Sequence, residues 1–162
     1  LNTVATENEQ GFEYIDLNEI DPSFKALPEA FYTLRVLKAE RKTFDYKNGP
    51  KAGTSGDMLK FQFAVTDDPS YSGRRLFPAV FPGNKRALRG LRKLADATGI
   101  QQEPGTAIDT WLAALTEVQP TFKQKVKYAA KWNKDTQQEE VVLNEKGEPA
   151  DNDVDWAEIQ PA

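Results

Sequence analysis

Neither cysteine nor histidine occurs anywhere in this chain of 162 residues. Without them there is no thiol nucleophile, no Ser-His triad, no imidazole acid or base, no Cys/His zinc site and no disulfide. Most familiar hydrolase mechanisms are thereby excluded, leaving carboxylate, lysine or tyrosine chemistry, or none. Long apolar runs are also missing: every one falls short of the roughly 20 residues that cross a bilayer. The N-terminal stretch has neither a basic start nor an apolar h-region, so no secretory signal is expected. No Gly-x-x-x-x-Gly-Lys-Ser/Thr motif occurs, and Gly49, Gly53 and Gly56 read as a flexible loop, so nucleotide hydrolysis has no support. The expectation is a protein of a reducing cytoplasm, not in a membrane, with no cofactor, no metal and no catalytic residue.

What the chain does hold is a charge asymmetry hidden by its total of −4. Residues 1–29 carry seven acids and one base, and residues 133–162 carry nine acids and two bases. Between them, residues 30–132 carry eighteen bases and nine acids, a net of +9. A basic middle between acidic ends points to a polyanion partner for the middle, with ends that repel or compete with it. The alternative is a basic domain with solvating tails.

Periodicity organises that middle. Residues 1–10 are polar and aperiodic and are expected to be disordered, while Phe12, Tyr14, Ile15, Leu17, Ile20 and Phe24 form an arm able to dock. From Ala30 to Tyr46 apolar and polar residues alternate as in a long strand. The loop KNGPKAGTSGD follows, then a second strand over Met58 to Thr66 with Leu59, Phe61, Phe63 and Val65 on one side. A turn from Asp67 to Gly73 leads to a third strand, Arg74 to Phe81, in which Pro78 requires an edge or a bulge. Asn84 and Gly99 bracket a helix with Ala87, Leu88, Leu91, Leu94 and Ala95 on one face and a basic stripe on the other. A second helix is expected from Thr106. Thr121 to Trp132 alternates as a fourth strand, with Lys123, Lys125, Lys127 and Lys131 on one face, and a fifth is expected over Glu139 to Leu143.

Three strands, a helical insertion, then two strands is the order of a five-stranded OB-type barrel, and the expected fold is mainly β of that kind. The expected limits are an acidic N-terminal arm over 1–29, the OB domain over 30–144 and an acidic C-terminal tail over 145–162. Binding faces of such barrels lie on strands two and three and on the loops after strands one and four. Single-stranded nucleic acid requires cations along its phosphates and aromatic faces under its bases. Candidates for the first role are Arg35, Arg41, Lys42, Lys47, Lys51, Lys60, Arg74, Arg75, Lys123, Lys125, Lys127 and Lys131. For the second they are Phe44, Tyr46, Phe77, Tyr128 and Trp132, although aromatics at strand spacing more often belong to a core. The acidic tail is expected to compete with the polyanion for the basic groove.

The segments LPEAFYTLRVLKAERK, MLKFQFAVTDDPSYSGRRLFPAVFP and ALRGLRKLADATGI resemble phage-encoded single-stranded DNA-binding proteins of OB fold. The resemblance rests on Tyr32-Thr33-Leu34-Arg35-Val36, Gly73-Arg74-Arg75 and Ala97-Thr98-Gly99-Ile100, and spans roughly residues 12–132. It implies sequence-independent binding and protection of single-stranded DNA in phage replication or recombination, in the cytoplasm of an infected bacterial host. It also implies contact with replication or recombination proteins through the acidic C-terminus. That terminus departs from the bacterial cellular pattern, because it ends in Pro161-Ala162 rather than Pro-Phe. Oligomeric state stays open between monomer and dimer. Two rival readings are an adaptor or assembly protein that binds an acidic partner, and a magnesium-dependent nuclease using Asp67 and Asp68 beside Lys60. The Asp-Asp-Pro sequence is more economically a turn.

Overall fold

Alternating burial along the strands builds one curved antiparallel sheet. In the computed structural model, which describes residues 15–19 and 25–162, β1 spans Ala30–Asp45 and β2 spans Ser55–Val65. Two short strands follow, β3 over Arg75–Leu76 and β4 over Ala79–Val80. The helices are α1, Lys85–Thr98, and α2, Ile108–Val118. Then come β5 over Thr121–Tyr128, β6 over Ala130–Asn133, β7 over Gln138–Val141 and β8 over Asn152–Pro161. The fold is mainly β: six strands form a sheet in the order β3-β2-β1-β5-β8, with β4 also pairing β2, while β6 and β7 pair as a separate hairpin. Among the described residues no ladder joins β8 back to β3 or β4, so a closed barrel is not formed by hydrogen bonds.

The core lies on the inner face. Leu34, Val36, Phe61, Phe63, Val65, Phe122, Val126 and Val154 are buried there. The sheet curls far enough for Trp156 of β8 to meet Phe61 and Phe63 of β2, with ring centroids 5.7 and 6.5 Å away. Helix α1 closes over this core against β8. Asn84 caps it by accepting the Ala87 N–H through its side chain, and Gly99 ends it at φ 75°, a left-handed turn that glycine adopts without strain. Gly90 faces β8 so closely that a Cβ there would lie 2.5 Å from the Trp156 carbonyl oxygen. Helix α2 is held to β1 by Thr116, whose hydroxyl accepts the Ala39 N–H at 2.9 Å. It starts one residue beyond Ala107, while the expected cap Thr106 donates its hydroxyl to the Glu103 carbonyl instead.

Several expectations change. The third strand divides around Phe77-Pro78, since Pro78 has no N–H to give; its carbonyl still accepts the Phe61 N–H at 2.9 Å. The fourth strand stops at Tyr128, and Ala129 turns the chain out into β6. The expected fifth strand is β7, which among the described residues pairs with β6 and not with the main sheet, and the strand beside β5 is β8. Residues 152–161 therefore belong to the sheet rather than to a tail, with Val154 buried, Asp153 and Glu158 exposed, and the Asp155 carboxylate half-buried against Arg86 of α1 at 3.5 Å. Gln124, between Phe122 and Val126, is also fully buried; its amide donates to the Asp155 carbonyl at 3.2 Å, and its Oε1 has no partner among the described residues. Of the expected arm, Leu17 is exposed and Ile15 half-buried, while Phe12, Tyr14, Ile20 and Phe24 lie outside the described residues. Leu27 is buried and exchanges hydrogen bonds with the Asn152 side chain at 2.8 and 3.0 Å, which ties residues 25–29 to the sheet.

Candidate nucleic-acid interface

A bulge decides which residues of β1 face outward. Val36 opposes Phe63, and the next paired residue is Lys38 opposite Gln62, so Leu37 is the extra residue. One inserted residue reverses the side-chain alternation beyond it. Before the bulge Phe31, Thr33 and Arg35 face out; after it Lys38, Glu40, Lys42 and Phe44 do. Opposite these, β2 presents Gln62, Lys60, Met58 and Gly56 on the same face, and Arg75 stands opposite Ala64.

This face carries rings as well as cations. Phe44 is paired with Gly56, and the Phe44 and Tyr46 rings lie over that glycine, where a Cβ would meet the Tyr46 ring at 2.9 Å and Phe44 at 3.1 Å. Phe81 meets Phe44 edge-on at 5.6 Å, and Phe44 meets Tyr46 at 4.9 Å. The Lys51 ammonium stands 5.5 Å from the Tyr46 centroid, an arrangement in which cation and ring attract. With Thr54, Ser55, Asp57, Pro82 and Gly83 these residues line an open groove of about 740 Å³. Further along the same strands Lys38, Glu40, Lys60, Gln62 and Phe77 line a second groove of about 260 Å³. Phe77 is 65% exposed and Phe81 46%, so neither belongs to the core.

Glu40 sits among the cations of this strip. Its carboxylate pairs with Lys38 at 3.0 Å and Lys42 at 3.3 Å, and Lys60 is its cross-strand neighbour. The hydrogen-bonded Lys38 ammonium, and after it Lys42, holds the Glu40 carboxyl below its usual range.

The remaining sequence candidates divide. Lys123 and Lys125 extend the outer face on the other flank of β1, opposite Thr33 and Phe31, and Lys127 lies beyond them opposite Asp153. Lys47 is exposed in the loop after β1. Arg35 is exposed and donates to the Gln119 carbonyl at 2.9 Å. Arg41 leaves the strip: the bulge turns it toward α2, where it pairs with Asp109 at 2.5 Å and Asp57 at 3.8 Å. Arg74 is directed to the Lys25 carbonyl. Tyr128 sits at the opposite end of the sheet, near Tyr32 and Tyr71; burial raises the Tyr32 hydroxyl above its usual value, and Tyr71, Asp68 and Tyr128 add to the effect. Lys131 and Trp132 are on the β6–β7 hairpin, opposite Glu140 and Glu139. The sequence reading missed Lys38, Glu40 and Phe81; the Phe81-Pro82-Gly83 turn was the available signal for the last, and nothing local announced the bulge.

Asp68 completes a turn, accepting the Ser70 N–H at 2.9 Å. Among the described residues no group of three or more Asp or Glu side chains is gathered as a metal site, and no helix is long and apolar enough to cross a membrane. No protein-family model, no curated protein and no solved structure matches this chain.

Proposed function

We propose that this protein is a non-enzymatic, sequence-independent single-stranded DNA-binding protein whose strand lies along the outer face of β1 and β2. The observation that carries the reading is the continuous strip of exposed or half-exposed rings, Phe44, Tyr46, Phe77 and Phe81, interleaved with Lys38, Lys42, Lys51 and Lys60. Bare bases have faces to stack on such rings at about 1–3 kcal/mol each, and phosphates follow the ammonium groups. Duplex DNA keeps its bases stacked inside and has no use for the rings. Lys123 and Lys125 extend the cationic track round β1.

The fold supports the same reading. A long bent first strand pairs with the second and with β5, β5 pairs with β8, and the helices enter between the third strand and β5. This pairing is compatible with an OB-type barrel whose last seam is not laddered, and the β1–β2 loop borders the face such folds use. The resemblance of residues 12–132 supports a role in phage DNA replication or recombination.

Fluorescence anisotropy with a labelled oligo-dT, against a duplex of equal length, tests the proposal. Binding to the single strand should dominate and fall with salt at a log-log slope of about −0.7 per neutralised phosphate. Equal affinity for both, or none at low salt, refutes it.

A further inference from the structure

We propose that this protein associates with itself head to tail, the β6–β7 hairpin of one copy seating in the α1–α2 groove of the next. The two surfaces lie on different parts of the molecule and have complementary chemistry.

The hairpin stands apart from the main sheet, since among the described residues β6 and β7 pair with each other alone. Its register gives it two unlike faces. Ala130 opposite Val141 and Trp132 opposite Glu139 share one face, while Lys131 opposite Glu140 and Asn133 opposite Gln138 share the other. The polar face satisfies itself, Asn133 donating to Glu140 at 2.8 Å. The other face leaves Trp132 59% exposed and Val141 40%, and Leu143 just beyond the strand is 55% exposed. Trp132 and Val141 left exposed together on one face of the hairpin mark a contact surface, and exposed tryptophan is among the residues that dominate binding energy at such surfaces. Glu139 shares this face, with Glu145 close by in sequence. Carboxylates beside the indole oppose a polyanion and favour a partner with a basic rim.

The α1–α2 groove has that character. Leu88, Leu91, Ala95, Ile108 and Trp111 line it together with Arg92, Gln101 and Gln102, and Leu88, on the apolar face of α1, is 40% exposed. Its volume is about 410 Å³, within the roughly 300–1,000 Å³ of sites that enclose drug-sized groups. Trp111 itself is buried, with its indole N–H given to the Ile100 carbonyl at 2.7 Å, so it forms the floor of the groove while Leu88 and the half-buried Ile108 form its accessible apolar wall. Lys85 and Arg92 flank Leu88 one turn away on either side. Among the described residues Arg92 pairs with the exposed Asp96, at 3.6 Å, whereas Arg86 and Lys93 on the far side of the helix are turned to Asp155 and the Ala157 carbonyl of β8. An apolar knob with carboxylates thus matches a groove that has an apolar wall and a polar, cationic rim. Because knob and slot are different surfaces, the contact leaves one of each free and repeats, as heterologous contacts do. It needs no nucleic acid and so stands apart from the binding proposal.

Sedimentation velocity of the full chain without DNA tests this. Association should rise with protein concentration, and should fall about tenfold or more in either Trp132→Ala/Val141→Ser or Leu88→Glu, each checked for folding by circular dichroism. The decisive arm mixes these two variants: one keeps its groove and the other its hairpin, so together they should form a 1:1 dimer that grows no further. A chain monomeric at every concentration overturns the proposal, as does association that survives Leu88→Glu or a mixture that stays monomeric. A chain that associates only after residues 1–24 are removed places the acidic N-terminal segment in the groove and overturns it equally.

Discussion

Two sets of aromatic rings, a strand's width apart, have opposite fates. Phe61, Phe63, Phe122 and Trp156 meet on the inner face, while Phe44, Tyr46, Phe77 and Phe81 lie outside it. Each set adjoins a glycine in a different way: the backbone of Trp156 packs on Gly90 of α1, whereas the rings of Phe44 and Tyr46 themselves lie over Gly56 of β2. Residue type does not separate the two sets. Their position in the alternation and the bulge at Leu37 do, and one set holds the fold together while the other is free for a ligand.

Substitutions in the two sets should therefore separate stability from binding. Phe63→Ala opens a cavity in the core and should cost about 3–5 kcal/mol of stability, read by chemical denaturation. Gly90→Ala should follow: overpacking costs about 1–3 kcal/mol, and the roughly 1 kcal/mol that alanine adds to a helix offsets only part of it. The clash is with the backbone oxygen of Trp156, which has no rotamer to escape to. A lower melting temperature checks this, and an unchanged one means that α1 lies farther from β8. On the other side, Tyr46→Ala should weaken oligo-dT binding by about 1–3 kcal/mol and leave the melting temperature near that of the parent. A large loss of stability in this variant would dissolve the distinction between the sets.

The smallest effect concerns Glu40. It occupies two cations of the strip, so Glu40→Gln should tighten oligo-dT binding and steepen its salt dependence. The pH dependence has a definite sign. Lysines hold the free carboxyl below its usual range; phosphate drawn to those lysines weakens their hold and raises it. Binding then takes up a proton, so affinity rises as pH falls through the acid range, and the glutamine variant should lose that part of the rise. Parallel pH profiles for parent and variant would remove Glu40 from the site.

Much of the framework was legible. The runs through Leu34 and Val36 and through Leu59 to Val65 gave their strands, and Asn84 and Gly99 gave both ends of α1, because each signal is local. Leu88 is a partial exception: it shares the apolar face of α1 but remains 40% exposed among the described residues. The acidic end was misjudged for a different reason. Its carboxylates suggested solvation, yet Val154 and Trp156 are spaced two apart and face inward. Removing residues 145–162 would accordingly take a strand from the sheet, which makes tail deletion a test of folding rather than of competition for DNA.

Sequence alone determined the exclusions and the basic middle, because composition needs no geometry, and it determined most strands and helices, because their periods are written residue by residue. The side of the sheet that receives each cation was decided only in three dimensions. The bulge between Val36 and Lys38 is set by pairing with β2, and that single extra residue turns Lys38 and Lys42 outward and Arg41 toward Asp109. Pairing partners lie far apart along the chain, so their register is a property of the folded sheet and not of any one segment.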